Sequence, residues 1–302
     1  MTRGRRPTSD HDWLAEHFEE HRGHLRAVAY RMLGSISDAD DAVQEAWIRL
    51  SRADTTDVEN LRAWLTTVVG RIALNVLRSR KTRREAPLSG HLVPDPVVIR
   101  DDETNPEHEV LVGDSIGLAL LVVLDTLSPA ERIAFVLHDV FGVPFDDIAP
   151  IVERSPAATR QLASRARRRV RGAPVPDADL TAQRRVVRAF MAAARRGDFE
   201  GLLSVLDPNV VLRSDGGRSR PGLVRVIQGA EAVASRALVF RRLSETATPV
   251  LVNGVAGVVT WTPHGAPFAV GSFTVRDNKI VSIEFMADPD RMRSLDLTLL
   301  ID

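Results

Sequence analysis

Residues 145–170 read FDDIAPIVERSPAATRQLASRARRRV, and their pattern decides the fold of the chain's middle third. The run divides into two short helices around a turn. Ser155 is a good N-cap, and Pro156 falls at the first helical position, where its missing N–H costs nothing. Ala158, Leu162, Ala166 and Val170 recur at four-residue steps and are expected to form the buried seam, the two alanines permitting close helix crossing. Arg160, Ser164, Arg167 and Arg171 lie on another side, with donors suited to phosphates and base edges. Thr159 and Arg160 stand near the leading end, where a recognition helix reaches bases, and the free N–H groups behind Ser155 can meet a phosphate. The competing reading is an ordinary helical hairpin with a solvated basic face. Pro150 sits inside the first helix and removes one backbone hydrogen bond, so that helix is kinked or starts later.

Around this hairpin the charge is blocky although the 302-residue chain is formally neutral, with 40 basic and 40 acidic residues. SDADDAVQE (37–45) and PDPVVIRDDETNPEHEV (94–110) are acidic, whereas Arg62–Arg84 and Arg154–Arg171 carry basic residues and no acidic one. Two basic blocks parted by an acidic, proline-bearing stretch suggest two contact surfaces on a flexible frame. An apolar content of 44% supports real cores in two or three domains. Cysteine is absent, which fits a reducing cytoplasm, the expected location. No apolar segment follows the basic start, so a secretory signal is not expected, and LALLVVL (118–124) is too short to span a bilayer.

Residues 13–84 read as three helices. Gly34 ends the first, and Ser37 is the expected cap of the second, with Asp38, Asp40 and Asp41 at its positive end. The third starts near Asn60. One face of it carries Thr67, Arg71, Asn75 and Arg78, a plausible track for DNA that Arg80, Lys81, Arg83 and Arg84 extend. The acidic row Asp38, Asp40, Asp41 and Glu45 cannot bind DNA favourably and, with Gln44 and Arg49 beside it, suits a protein partner with basic residues; first-turn helix stabilisation explains the row equally well. Beyond GAPVPDAD (172–179), helices give way to strand candidates, with Asp277-Asn278 as a turn.

In this order, AYRMLGSISDADDAVQEAWIRL, LRAWLTTVVGRIALNVLRSRKTRR and LSPAERIAFVLHDVFGVPFDDIAPIVERSPAATRQLASRARRRV resemble a bacterial RNA polymerase sigma factor of the extracytoplasmic-function (ECF) class. RQLASRARRRV followed by a C-terminal extension is similar to the subgroup with a SnoaL-like, NTF2-fold domain. The implied fold class is multidomain: two all-α sigma domains, a region 2 bundle and a region 4 helix-turn-helix, plus a C-terminal α+β domain. The implied organisation is region 2 at 10–84, a linker at 85–112, region 4 at 113–172, a linker at 173–180 and the SnoaL-like domain at 181–302. The resemblance implies binding to core RNA polymerase and promoter DNA. It assigns core contacts to Asp40, Asp41, Gln44 and Glu45, the −10 element to Thr67, Arg71, Asn75 and Arg78, and the −35 element to Ser155, Thr159, Arg160, Ser164 and Arg167. HLVPDP (91–96) looks like a diverged copy of the subgroup's WLPEP linker, with His91 for tryptophan, and DGGRSR (215–220) of its DGGGK motif, with Arg218 departing. Pro94, Pro96, Asp215, Gly216 and Gly217 are thereby implied in an interdomain, regulatory clasp.

The chain is expected not to be an enzyme and to need no cofactor or metal. The alternative is that the C-terminal domain senses a small molecule or works as an isomerase- or hydrolase-like unit, with Asp207, Asp215, His264 and Glu284 as polar candidates. HFEEH (17–21) puts His17 and His21 one helical turn apart, with His24 a turn further. It is not the zincin motif, and a solvated helix face is the expectation.

Overall fold

The computed structural model describes residues 10–53, 58, 60–84, 92–101, 117–174, 176–295, 297 and 300. They fall in two compact units, each discontinuous in sequence. One lies within Met1–Ala86 and Leu127–Arg168, the other within Pro87–Thr126 and Arg169–Asp302.

The first unit is helical. α1 (Asp10–Leu33) buries Phe18, Leu25, Val28 and Met32. It stops at Gly34, whose φ of 67° suits a residue without Cβ and whose N–H donates to the Tyr30 carbonyl. α2 (Ile36–Leu50) is capped by Ser35, whose Oγ accepts from the Asp38 N–H, and not by Ser37 as the sequence suggests. The left-handed glycine turns the chain at once, so the very next residue is the extended one that can cap. α3 (Leu61–Arg84) starts with the Asn60 carboxamide accepting from the Ala63 N–H at 3.0 Å. Leu65, Val69, Ala73 and Leu74 form its buried side.

α5 (Pro129–Phe135) opens on a capping box between Ser128 and Glu131 and runs into a π-helical turn at Val136–Val140. α6 (Phe145–Val152) starts where the sequence suggests, holds Pro150 on an exposed position and ends at Glu153, left-handed at φ 57°. α7 (Pro156–Val170) buries Thr159, Ala163 and Ala166. This corrects the expected seam of Ala158, Leu162, Ala166 and Val170. A helix turns about 100° per residue, so a strict four-step row drifts by about 40° at each step and leaves the core face. Thr159 is fully buried, and its hydroxyl donates to the Ser155 carbonyl at 3.0 Å.

The second unit is built on a seven-stranded sheet. Its strands are β1 (Val98–Arg100), β2 (Leu206–Asp215), β3 (Arg225–Gln228), β4 (Thr248–Val252), β5 (Val255–Trp261), β6 (Pro267–Arg276) and β7 (Lys279–Met286), ordered β1-β4-β5-β6-β7-β2-β3. Among the described residues only β2 and β7 pair in parallel. Asn253-Gly254 and Asp277-Asn278 turn the β4–β5 and β6–β7 hairpins with positive φ at both residues. α8 (Leu180–Arg196), capped by Asp179, lays Val186, Val187 and Phe190 on one sheet face against Val258, Phe273 and Ile283. α9 (Phe199–Val205), α10 (Ala230–Val239) and α11 (Arg241–Glu245) complete that side, and α12 (Pro289–Ser294) follows β7. α4 (Leu118–Asp125) contacts β7, and Gly117 at its start approaches Val255. Val255, Gly257 and Val259 point away from α8, because neighbouring Ala256 and Val258 belong to the α8-side core and strand side chains alternate. Helical N-terminal parts followed by an α+β domain are thus the class of fold the chain forms.

Candidate nucleic-acid interface and C-terminal pocket

In the first unit α3 holds a basic face open. Arg71, Asn75 and Arg78 are exposed, while Thr67 is half-buried with its hydroxyl donating to the Ala63 carbonyl at 3.1 Å. Arg78 reaches Glu153 at 3.3 Å, an exposed pair that solvent screens. Arg80 does not extend this face. It donates to the Leu33 carbonyl at 2.8 Å and pairs with Asp38, so it ties α3 to the α1–α2 corner. The side chains of Arg83 and Arg84 lie outside the described residues.

On α7, Ser155, Arg160 and Ser164 are exposed at one end and one side of the helix. The Ser155 hydroxyl caps the Ala158 N–H at 3.3 Å. Arg160 lies over the Phe145 ring, 5.3 Å from its centroid, and Arg167 pairs with Asp139 at 2.5 Å. Thr159 is not available to a base, being buried in the seam. Neither Arg71 nor Arg160 is held in an ion pair among the described residues.

The acidic row lies on the outer side of α2. Asp41 and Gln44 are exposed; Asp40 accepts from Arg26 through both oxygens at 2.6 and 3.2 Å, and Glu45 pairs with Arg49 at 2.9 Å. Two of the α1 histidines, His17 and His24, are separately engaged. The His17 ring lies tilted against the Trp13 ring, centroids 4.0 Å apart, and His24 meets Arg62 at 3.1 Å. Burial, then the Arg62 charge, pushes the His24 imidazole down to about 4.

In the second unit, Asp215 is buried at the end of β2. Its carboxylate accepts from the Leu92 and Val93 N–H groups at 2.8 and 3.4 Å, from Gly217 N–H at 3.0 Å and from Arg291 at 3.1 Å. Arg291 also grips Asp95 at 2.6 Å and the Val93 carbonyl at 2.7 Å. Pro94 and Pro96 are buried in the held segment, and the Asn253 carboxamide accepts from the Val97 N–H at 3.0 Å. β1 then pairs with β4. A Cβ on Gly216 would overlap the Arg220 carbonyl, and one on Gly217, already at φ 60°, would overlap the Asp288 carboxylate. The structure thus brings together Pro94, Pro96, Asp215, Gly216 and Gly217, and adds Asp95, Asn253 and Arg291. Arg291 carried no signal in the sequence. The Asn-Gly pair at 253–254 did, as a hairpin turn. His91 lies outside the described residues.

The polar candidates for catalysis scatter. A cavity of about 110 Å³ opens on the α8 side of the sheet, walled by Phe190, Met191, Leu212, Phe240, Phe268 and Phe285. Asp207 accepts from the Asn209 N–H, and His264 is exposed in the turn between β5 and β6. Asp215 and Glu284 alternate with the cavity residues Ser214 and Phe285 and therefore face the other side. Glu284 is fully buried there, 2.5 Å from the Ser282 hydroxyl and 3.4 Å from Arg213. Burial pushes its carboxyl up to about 7 against the pull of both neighbours.

Three family models match the chain: Sigma-70 region 2 over residues 17–83, Sigma-70 region 4 over 117–170 and a SnoaL-like domain over 187–283. The ECF RNA polymerase sigma factor SigJ of Mycobacterium tuberculosis is 40% identical over 291 residues, covering 91% of each chain. The probable ECF RNA polymerase sigma factor SigI of the same species is 36% identical over 295 residues, covering 95% of this chain and 97% of that one. The crystal structure of Mycobacterium tuberculosis SigJ superposes with a TM-score of 0.78 at 37% identity, covering 94% of this chain and 99% of the other. The SnoaL-like match corrects the expectation that the chain is not an enzyme. The matched domain holds a cavity of its own, so the exclusion of catalysis does not stand. Among the described residues, no helix is long and apolar enough to cross a membrane.

Proposed function

The chain belongs to the ECF RNA polymerase sigma factors, and on that premise we propose which of its surfaces carry the two recognitions such a factor performs. Its function is to bind core RNA polymerase and direct it to promoters. The α2 face of Asp40, Asp41, Gln44 and Glu45 meets basic residues of the core enzyme. The α3 face of Arg71, Asn75 and Arg78, with Thr67 at its edge, takes the −10 element. Ser155, Arg160, Ser164 and Arg167 on α7 take the −35 duplex, with Thr159 contributing only to packing.

One observation supports the DNA assignments above the rest. Arg71 and Arg160 stand exposed and, among the described residues, without carboxylate partners on two separate helices of a neutral chain. Replacing either by alanine is expected to weaken promoter binding by the full-length holoenzyme about fivefold to tenfold while leaving core binding intact. Asp41→Ala is expected to do the reverse. Unchanged affinities in gel-shift and core-titration assays would withdraw that residue.

The C-terminal domain modulates this activity in our reading. Asp215 and Arg291 hold residues 92–95 on the domain, a point through which its state can reach the helical parts. The cavity beside α8 takes a small ligand, a reading favoured by its apolar walls.

A further inference from the structure

Among the described side chains that line this cavity, Arg236 is the one cation and none is a carboxylate, and the walls are otherwise almost wholly apolar. Three hydroxyls line it, and each has spent its proton on a backbone carbonyl: Ser214 on Leu223 at 2.5 Å, Ser244 on Arg241 at 2.5 Å, Thr260 on Ala269 at 3.3 Å. Among the lining side chains Arg236 is therefore the remaining donor. Its guanidinium lies 4.3 Å from the Phe240 centroid, half-buried, with no carboxylate partner among the described residues. Burial first and the Arg225 charge second lower its proton affinity, so both act against the cation that is nevertheless there.

Resting on the ligand reading above, we infer that this cavity takes a small apolar monocarboxylate, with the hydrocarbon among the phenylalanines and the carboxylate on Arg236. A carboxylate meets the guanidinium fork through two parallel bonds and balances its charge. A neutral ligand would cover Arg236 further and leave it unpaired. A dianion would bring one charge that no lining side chain offsets. The volume of about 110 Å³ is somewhat below the roughly 150 Å³ apolar cavity that accepts benzene, which limits the apolar part to one ring or a short chain.

The test titrates the full-length protein with phenylacetate and pentanoate, and with phenylacetamide and pentanamide as neutral counterparts, by calorimetry and ligand-observed NMR. At least one acid is expected to bind about tenfold or more tightly than its amide. Arg236→Met should bring the acid down to the amide's affinity, and Arg236→Gln serves as a second variant, with circular dichroism to verify the fold. Equal affinity of acids and amides in the wild-type protein overturns the carboxylate class and leaves the ligand reading standing. Binding by none of the four compounds overturns both. An acid preference that survives a folded Arg236 variant overturns the role of that arginine.

Discussion

Gly217 and Glu284 show what single positions cost and why. At Gly217 two demands coincide, a left-handed backbone and a neighbouring Asp288 carboxylate where a Cβ would lie. Gly217→Ala is expected to destabilise the C-terminal unit by about 1–3 kcal/mol, read as a lower urea midpoint. Glu284 carries a pH signature. Its carboxyl is raised from 4.5 to about 7 on folding, so the folded chain holds more protons between those values. Stability is then greatest at acidic pH and falls as pH rises through that window. Glu284→Gln should remove this slope and add on the order of 1–3 kcal/mol above about pH 7, measured by urea melts on either side of the window. The sequence showed Glu284 as one polar candidate among several. Its burial could not be read there, because it depends on Ser272 and Arg213 standing opposite on neighbouring strands.

Elements were legible where a local signal fixes them. Ser155-Pro156, Asn60, Gly34 and Asp277-Asn278 each mark a terminus or turn that the structure has. The rotation of α7 was not, since alanines flank the seam and only the packed partner helix decides that Thr159 goes inward. β1 was hidden for a different reason. It is three residues long, follows two prolines, and owes its pairing to β4, some 150 positions later in the chain. Asn253 fixes the start of that strand: its carboxamide accepts from Val97, and its own N–H donates to the Val97 carbonyl at 2.8 Å. Asn253→Ala strands the Val97 N–H and strains a residue at φ 53°. Amide exchange at 97–100 is expected to speed up by about tenfold or more, while α8 amides stay protected.

At the scale of the molecule, the compact unit that contains the C-terminal sheet also takes in residues far upstream of it. Val93, Val97 and Ile99, and Leu118, Leu121 and Leu124 of α4, are buried in the unit that contains the C-terminal sheet. A chain ending at residue 172 should therefore bind a hydrophobic dye and precipitate where the full chain does neither. In the sequence the apolar side chains of HLVPDPVVI signal that this proline-bearing stretch docks on something, but not that its partner is the C-terminal sheet.

Each unit draws on two separate stretches of chain. During synthesis, β1 and α4 leave the ribosome long before β4, on which β1 pairs, and β7, which α4 contacts, and must wait for those strands before they have a sheet to pack on. Maturation is thus deferred until the message is almost wholly read. A chimera between relatives that exchanges only 169–302 would pair a foreign sheet with a native strap, and a working graft has to carry 87–126 with it.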